Sequence, residues 1–135
     1  MKKGGGISIL VAILIGLKIF AGLNSEPDID KVLENAVKGG NGEMANISKM
    51  PQFSGGKCYR DGTNQGVVFE YVYSKEFSPE SIDAKMMKTE LKQAFKGKAD
   101  VKKIAEIGVY FRFVYKSPDG KILCDVTLNP GDLGA

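Results

Sequence analysis

The feature that most constrains this chain is an apolar run close to its N-terminus. Residues 7–17 carry no charge, Lys18 interrupts the run, and residues 19–23 resume it, while Lys2 and Lys3 stand before it. A run of this length with a basic start is typical of a secretory signal peptide, or of a short transmembrane helix whose lysine reaches the membrane interface. Both interpretations carry the rest of the chain out of the cytoplasm.

The residues around the end of the run favour an uncleaved anchor. Signal peptidase requires small residues at two positions, but Phe20 precedes Gly22 by two residues and Ile19 precedes Ala21 by two. We therefore predict that residues 1–23 form a single-pass membrane anchor with a cytoplasmic N-terminus. The predicted location is the bacterial inner membrane with the C-terminal domain in the periplasm. A cleaved signal peptide, which gives a secreted or periplasmic domain, is the alternative.

Composition argues against the commonest kinds of chemistry. The sequence has no histidine, the most frequent general base near neutral pH and a frequent metal ligand. Its formal charge of +3 comes from 19 basic and 16 acidic residues, and three of the basic ones lie in or before the apolar run, which leaves 16 of each sign. A neutral domain is not typical of nucleic-acid binding. We therefore expect no enzyme, metal site, cofactor or small-molecule substrate, and no nucleic-acid partner.

The segment that follows the apolar run begins with a helical pattern. The run Ser25-Glu26-Pro27-Asp28 indicates a helix start with acidic residues that suit the helix dipole, and Ile29, Val32, Leu33, Ala36 and Val37 share one helix face. Glycines at 39, 40 and 42 predict a flexible break, with a further short helical turn over residues 44–50. We assign residues 24–50 to a helical linker region and residues 51–135 to an α+β periplasmic domain.

Two hairpins are predicted in this domain. Residues 57–60 and 67–74 alternate around a turn at 61–66, with Cys58 opposite Phe69. Residues 109–115 and 122–128 flank a Ser-Pro-Asp-Gly turn, and the expected register pairs Tyr115 with Ile122 and Phe113 with Cys124. The same register puts Arg112 opposite Asp125 on the other face.

A helix is predicted between the hairpins. Ser78 and Pro79 provide a start signal, Gly97 a stop, and a short helix at 99–107 follows. The expected fold class is therefore α+β: an N-terminal transmembrane helix, then one small domain with an antiparallel four-stranded sheet of two β-hairpins and helices packed on one face.

Cysteines are few and lie at inward positions of predicted strands. Cys58 and Cys124 are the only two, so no cysteine follows the apolar run for lipid attachment. In an exported domain two cysteines are usually joined, and we predict a disulfide that would make the first and last strands neighbours. Two separate buried thiols are the alternative.

Lysines recur every three or four residues along the predicted second helix. This lysine stripe consists of Lys85, Lys88, Lys92 and Lys96. It is extended by Lys98, Lys102 and Lys103. It is suited to anionic lipid headgroups or to an acidic partner. Lysines on an amphipathic helix are also found as a plain solvated face, and this interpretation stays open.

The outer face of the predicted sheet offers a second candidate surface. Tyr110 and Val68 are candidate contacts for a partner, because an antiparallel sheet with one uncovered face exposes them, and Arg112 is a further candidate. Glu70, Arg112 and Asp125 share this face. They indicate either a recognition patch or a row of cross-strand charge pairs.

The part of the sequence from residue 47 to residue 128 resembles a diffuse set of small exported bacterial proteins of unknown function. The shared motifs are Met50-Pro51 before the first strand, a Tyr-x-Tyr strand at Tyr71 and Tyr73, and a closing hairpin of the form Gly-Val-x-Phe-x-Phe-x-Tyr that ends in Asp-Gly and Val-Thr-Leu. The order of helix and hairpin is also similar to that of secretion pilotins, outer-membrane lipoproteins that escort secretin subunits. The resemblance implies an assembly role of the same kind.

Together these patterns predict a membrane-tethered, non-catalytic binding or accessory protein of the bacterial envelope. Its expected partners are the membrane, through the N-terminal segment, and an envelope protein. An immunity or exclusion protein that blocks a toxin or phage component is one alternative, and a pilotin-like assembly factor is another.

Overall fold

A computed structural model describes residues 28–135, and the predicted anchor over residues 1–23 lies outside this range. Three α-helices and four strands follow one another: α1 Ile29–Ile47, β1 Phe53–Arg60, β2 Gly66–Tyr73, α2 Ala84–Phe95, α3 Ala99–Glu106, β3 Tyr110–Lys116 and β4 Ile122–Leu128. Short 3-10 helices lie at Lys75–Phe77 and Pro130–Leu133. Among the helices of residues 28–135, none is long and apolar enough to cross a membrane.

The four strands form one mixed sheet in the order β1-β2-β3-β4. Each hairpin is antiparallel, as predicted, but β2 and β3 run parallel in the middle of the sheet. The prediction of an all-antiparallel sheet was therefore wrong. The physical reason is the connection: α2 and α3 return the chain to the end of the sheet where β2 began, so that β3 starts beside it.

This strand order also corrects the predicted disulfide. Cys58 lies on β1 and Cys124 on β4, at opposite edges of the sheet, and both are buried free thiols. Two whole strands separate them, and strands lie about 4.8 Å apart, so their backbones are much farther apart than a disulfide allows. The first and last strands are not neighbours.

The helix α1 continues without interruption through its glycines, which corrects the predicted break. Asp28 caps its start by accepting hydrogen bonds from two backbone N–H groups of the first turn. Gly40 lies against β1 so closely that a Cβ atom there would be 2.5 Å from the Sγ atom of Cys58. The glycine thus allows a close helix-to-strand approach, and α1 contributes Val32, Leu33, Ala36, Met44 and Ile47 to the core instead of forming a linker.

The second helix begins later than predicted. Asp83, not Ser78, is the N-cap of α2, since its Oδ1 atom accepts hydrogen bonds from the N–H groups of Lys85 and Met86 at 3.0 and 3.2 Å. Its end just before Gly97 and the separate α3 agree with the prediction. Gly97 and Gly108, which follow α2 and α3, both have a positive φ that favours glycine.

The last hairpin is shifted by two residues from its predicted register. Tyr115 pairs with Cys124 and Phe113 with Val126, because a loop closed between Ser117 and Lys121 and an irregularity after Tyr115 lengthen the turn. A shift of two keeps every side chain on its predicted face, since the side-chain period of a strand is two. The predicted pairing of Cys58 with Phe69 in the first hairpin is confirmed.

All three helices pack on the same face of the sheet. The core between them contains a line of aromatic rings, with Phe69 stacked on Phe113 at 5.1 Å and Tyr71 on Tyr115 at 5.0 Å between ring centroids. Phe95 of α2 joins this line through Phe111, with 5.7 Å between ring centroids. The aromatic residues that alternation placed inward are therefore core residues. The opposite face of the sheet carries most of the polar strand residues, but Val68 on that face is fully buried, so its predicted exposure was wrong.

Candidate functional site

The uncovered face of the sheet contains a buried carboxylate at its centre. Glu70 on β2 is only 6% exposed, accepts a hydrogen bond from the Tyr59 hydroxyl at 2.9 Å and pairs with Lys116 Nζ at 3.2 Å. Lys57 Nζ lies 4.0 Å from the same carboxylate and 5.5 Å from the centre of the Tyr59 ring. Burial by itself raises the pKa of Glu70, but these donors and cations outweigh it, so the pKa falls below its ordinary value and the group is charged at neutral pH.

A second polar group surrounds Arg112 on β3. Its guanidinium donates to both carboxylate oxygens of Asp125, at 2.9 and 2.7 Å, and lies 3.6 Å from Asp61. The backbone partner of Arg112 is Thr127, so the bidentate pair with Asp125 is diagonal across the hairpin. The predicted charge pair therefore exists although the predicted register is wrong. The hydrogen bond from Arg112 lowers the pKa of Asp125 against the opposing effect of burial.

Tyr110 is held on this face by a glycine and a carboxylate. Its ring lies over Gly66 of the neighbouring strand, where a Cβ atom would be 2.2 Å from the ring carbons. Its hydroxyl donates to Asp61 at 2.6 Å. Burial and this hydrogen bond raise the pKa of Tyr110.

These contacts bear on the two interpretations of the outer face. Glu70, Arg112 and Asp125, together with Asp61, are each engaged by an opposite charge or a hydroxyl of the same sheet. A group already satisfied inside the protein gains little from an outside partner, because the internal contact must first be broken. The geometry therefore supports the cross-strand charge row, and Tyr110 and Arg112 belong to it.

The structure brings most of the lysine stripe into a cleft at the end of α2. We call it the lysine cleft; it has a volume of about 670 Å³, in the range of small-ligand sites. Its walls are the second half of α2, the turn into α3, and the turn at residues 129–134, which we call the C-terminal turn. Phe95 and Leu133, both almost fully buried, provide apolar lining. Its charged lining residues are Lys92, Lys96, Lys98, Lys102 and Asp132.

The described side chains leave part of the positive charge of the lysine cleft unpaired. Asp132 pairs with Lys88 and Lys92 at 3.6 and 3.5 Å. Burial raises the pKa of Asp132, but a backbone hydrogen bond from Asn129 and the two lysines outweigh it, so the pKa is lowered. Among the described side chains, which do not include that of Asp100, no carboxylate oxygen lies within 4.0 Å of the Nζ atom of the three other lysines. These are Lys96, Lys98 and Lys102.

The predicted lysines thus fall into different environments. Lys92 and Lys96 line the cleft, and Lys88 stands beside it on Asp132. Lys85 lies in the first turn of α2, remote from the cleft, and is an exposed residue. Lys103 is exposed on α3 and is not part of the lining. Only the part of the stripe near the C-terminus of α2 joins a site.

The C-terminal turn was not predicted to be part of the candidate site. Asn129 caps the 3-10 helix Pro130–Leu133 through a capping box with Asp132, and Pro130 stands at its first position. The sequence Asn-Pro-Gly-Asp carries this signal, because Asn, then Pro, then an acidic residue three positions after the cap is typical of a helix start. The turn places Asp132 and Leu133 opposite α2, which turns a helix face into a cleft.

The lysine cleft lies at one particular end of the sheet. We call it the Tyr110 end, where β2 and β3 begin and β1 and β4 finish. The C-terminal turn directly follows β4, and Phe95 contacts Phe111 near the start of β3. The first turn of α1 is at the same end, because Asp30 pairs with Arg60 at 2.9 Å. The cleft and the start of the described chain therefore share the Tyr110 end.

Lysine ammonium groups around an apolar floor are suited to binding an anion. Each group is a compact, strongly hydrated charge with three donors, which attracts carboxylate or phosphate oxygens without fixing their orientation. No protein-family model matches the chain, and neither a curated protein nor a solved structure matches it.

Proposed function

We propose that this chain is a non-catalytic binding or accessory protein of the bacterial envelope, tethered by residues 1–23 with its domain in the periplasm. Its proposed binding site is the lysine cleft, and the proposed ligand is anionic. The anchor is inferred from the apolar run and its leading lysines.

One observation carries the choice of site: among the described side chains, which do not include that of Asp100, no carboxylate pairs with three lysines of the cleft, whereas the charges of the outer sheet face are paired. Unpaired like charges held close together repel one another, and an anion that enters relieves this repulsion. Phe95 and Leu133 close the base of the cleft, but they are almost fully buried, so the lysines provide the contacts with a ligand.

A binding titration tests the site. The full chain is embedded in nanodiscs of zwitterionic phosphatidylcholine and titrated with fluorescent poly-glutamate, a simple anionic probe, while anisotropy is recorded. We expect saturable binding that weakens about tenfold or more when Lys96, Lys98 and Lys102 are all changed to Gln, because each lysine near an anionic surface contributes on the order of 1 kcal/mol.

The matched control is a second triple variant with the same change in net charge. Lys31, Lys49 and Lys121 are exposed, lie outside the cleft and are changed to Gln in the same way. Equal weakening in both variants would show that overall charge, not the cleft, binds the probe, and would refute the proposed site. A reporter enzyme fused after residue 135 and active only in the periplasm tests the topology, and activity confined to the cytosolic side would refute the tether.

A further inference from the structure

The position of the lysine cleft relative to the start of α1 points to its ligand. Between Leu23, the last residue of the apolar run, and Asp28 there are four residues. A fully extended chain spans about 3.5 Å per residue, so Asp28 lies within about 18 Å of the point where the predicted anchor leaves the bilayer. The Tyr110 end of the domain, where α1 begins, is therefore held near the membrane surface.

The sheet is narrow enough for the membrane surface to lie near both of its edges. α1 packs on β1, at one edge, and the cleft lies toward β4, at the other. Four strands about 4.8 Å apart span roughly 14 Å, which is comparable to the reach of the connection. A membrane plane that passes near the first turn of α1 can thus also meet the cleft.

The charges at this end fit such a surface. Asp30 and Asp61, two of the carboxylates at the Tyr110 end, are paired with Arg60 and Arg112, so they offer little repulsion. The basic residues that line the cleft are all lysines. Both arginines of the described chain form ion pairs with carboxylates outside the cleft. Arginine is suited to bidentate recognition of a fixed carboxylate, whereas the lysine ammonium group acts as a point charge that binds phosphates in many orientations.

From these observations we infer that the lysine cleft binds the phosphate headgroups of anionic phospholipids in the same membrane that anchors the chain, and so fixes the orientation of the domain on the bilayer. This inference rests on the proposed tether and deepens the proposed function by naming the ligand. Lys96, Lys98 and Lys102, which are exposed, provide the contacts with the phosphate oxygens. An acidic segment of a partner protein is the competing occupant.

The test measures how close the cleft comes to lipid headgroups. A fluorophore is attached at Thr89→Cys, on the rim of the cleft, or at Lys121→Cys, in the β3–β4 turn at the opposite end of the sheet. The native thiols of Cys58 and Cys124 are buried and do not compete for the label at neutral pH. The full chain is placed in nanodiscs that carry a headgroup spin label, with phosphatidylcholine alone or with phosphatidylglycerol added.

We expect phosphatidylglycerol to increase quenching at position 89 severalfold and to leave position 121 unchanged. The increase should disappear in the Lys96, Lys98 and Lys102 triple Gln variant, and in about 1 M salt, where the Debye length falls to about 3 Å. The variant in which Lys31, Lys49 and Lys121 are changed to Gln should keep the increase at position 89.

Three outcomes would overturn the inference. Quenching at position 89 that ignores phosphatidylglycerol, in a protein that still binds poly-glutamate, would assign the cleft to an acidic polypeptide and leave the proposed function intact. Quenching at position 89 that ignores phosphatidylglycerol, in a protein that binds inorganic phosphate saturably at constant ionic strength, would assign the cleft to free phosphate. Absence of both lipid dependence and poly-glutamate binding would remove the proposed function together with the inference.

Discussion

The side-chain amide of Asn41 on α1 hydrogen-bonds both backbone groups of Cys58 on β1: its Nδ2 donates to the carbonyl oxygen at 2.7 Å and its Oδ1 accepts from the N–H at 2.9 Å. An amide presents one donor and one acceptor side by side, as a neighbouring strand does. β1 is an edge strand, whose outward backbone groups would otherwise be open to another chain. Asn41 therefore satisfies the outward backbone groups of Cys58 and attaches α1 to this strand.

Replacement of Asn41 by Ala should lower the free energy of unfolding by about 1–3 kcal/mol, since two hydrogen bonds are lost. Asn35→Ala, on the exposed face of the same helix, is the matched control because both changes alter helix propensity equally. Urea denaturation of the full chain in non-ionic micelles measures both. Equal stabilities of the two variants would show that the Asn41 contact contributes nothing.

Two glycines of α1 should respond in opposite directions to the same substitution. Gly42→Ala should stabilise the protein by about 1 kcal/mol, because a Cβ atom there meets nothing within 4 Å and alanine favours the helix. Gly40→Ala should destabilise it by about 1–3 kcal/mol, because the new Cβ atom would press against Cys58. Stabilisation by both changes would contradict the close approach of α1 to β1.

Two tyrosines should likewise differ when their hydroxyl groups are removed. The hydroxyl of Tyr115 is buried and has no hydrogen-bond partner among the described residues, so Tyr115→Phe should raise the free energy of unfolding by about 1 kcal/mol. Tyr59→Phe removes a donor to Glu70 and should lower it by a similar amount. Thermal or urea unfolding of both variants checks the signs, and destabilisation by Tyr115→Phe would indicate a buried water on that hydroxyl.

The stability of the domain should fall in acid, in part through Glu70. Its pKa in the folded protein is lower than its ordinary value of 4.5, so the unfolded chain takes up the proton more readily. The contribution of Glu70 is therefore complete above about pH 5 and is lost as the pH falls through the folded pKa. Asp125 and Asp132, whose pKa values are also lowered, extend the loss to lower pH.

Unfolding free energies measured from pH 7 to pH 3 test this dependence. Glu70→Gln should be less stable at pH 7, because Lys116 loses its partner, and should show a flatter profile near pH 4.5. Glu34→Gln, on the exposed face of α1, should keep the profile of the unsubstituted chain. An unchanged slope in Glu70→Gln would show that other carboxylates govern the acid transition.

Both thiols should be free and slow to react in the folded protein. Burial raises the pKa of Cys58 to about 12 and that of Cys124 to about 11, so few thiolate anions are present at pH 8. Alkylation followed by mass spectrometry should detect almost no modification in native conditions and two modified cysteines in denaturant without reductant. Modification that required a reductant would demonstrate a disulfide and contradict the strand order.

Local patterns predicted most of the elements and their faces, and failed at specific places. Alternation in β2 and β3 identified the inward aromatic residues, and Gly97 and Gly108 identified helix ends. The glycines of α1 were misinterpreted because their role is contact with Cys58, which is distant in sequence. The N-cap of α2 was misplaced because Ser78-Pro79 and Asp83 carry similar start signals, and only packing of the helix selects between them.

The lysine cleft and the outer sheet face were likewise only partly predictable from the sequence. The lysine spacing was visible in the sequence, but the choice between a solvated stripe and a cleft depended on the turn at Pro130–Leu133, which follows the last strand. The Arg112–Asp125 pair was predicted through an incorrect register, and it forms because a long guanidinium reaches its diagonal neighbour.

The sequence by itself determined which residues form strands and helices and which faces are apolar, because side-chain periodicity and capping are local properties of the backbone. It also determined the apolar segment from which the tether is proposed. Tertiary structure alone decided that β2 and β3 run parallel, that Cys58 and Cys124 stand at opposite edges, and that the lysines meet the C-terminal turn at the Tyr110 end. These arrangements depend on contacts between residues far apart in the chain, whose energies no local pattern records.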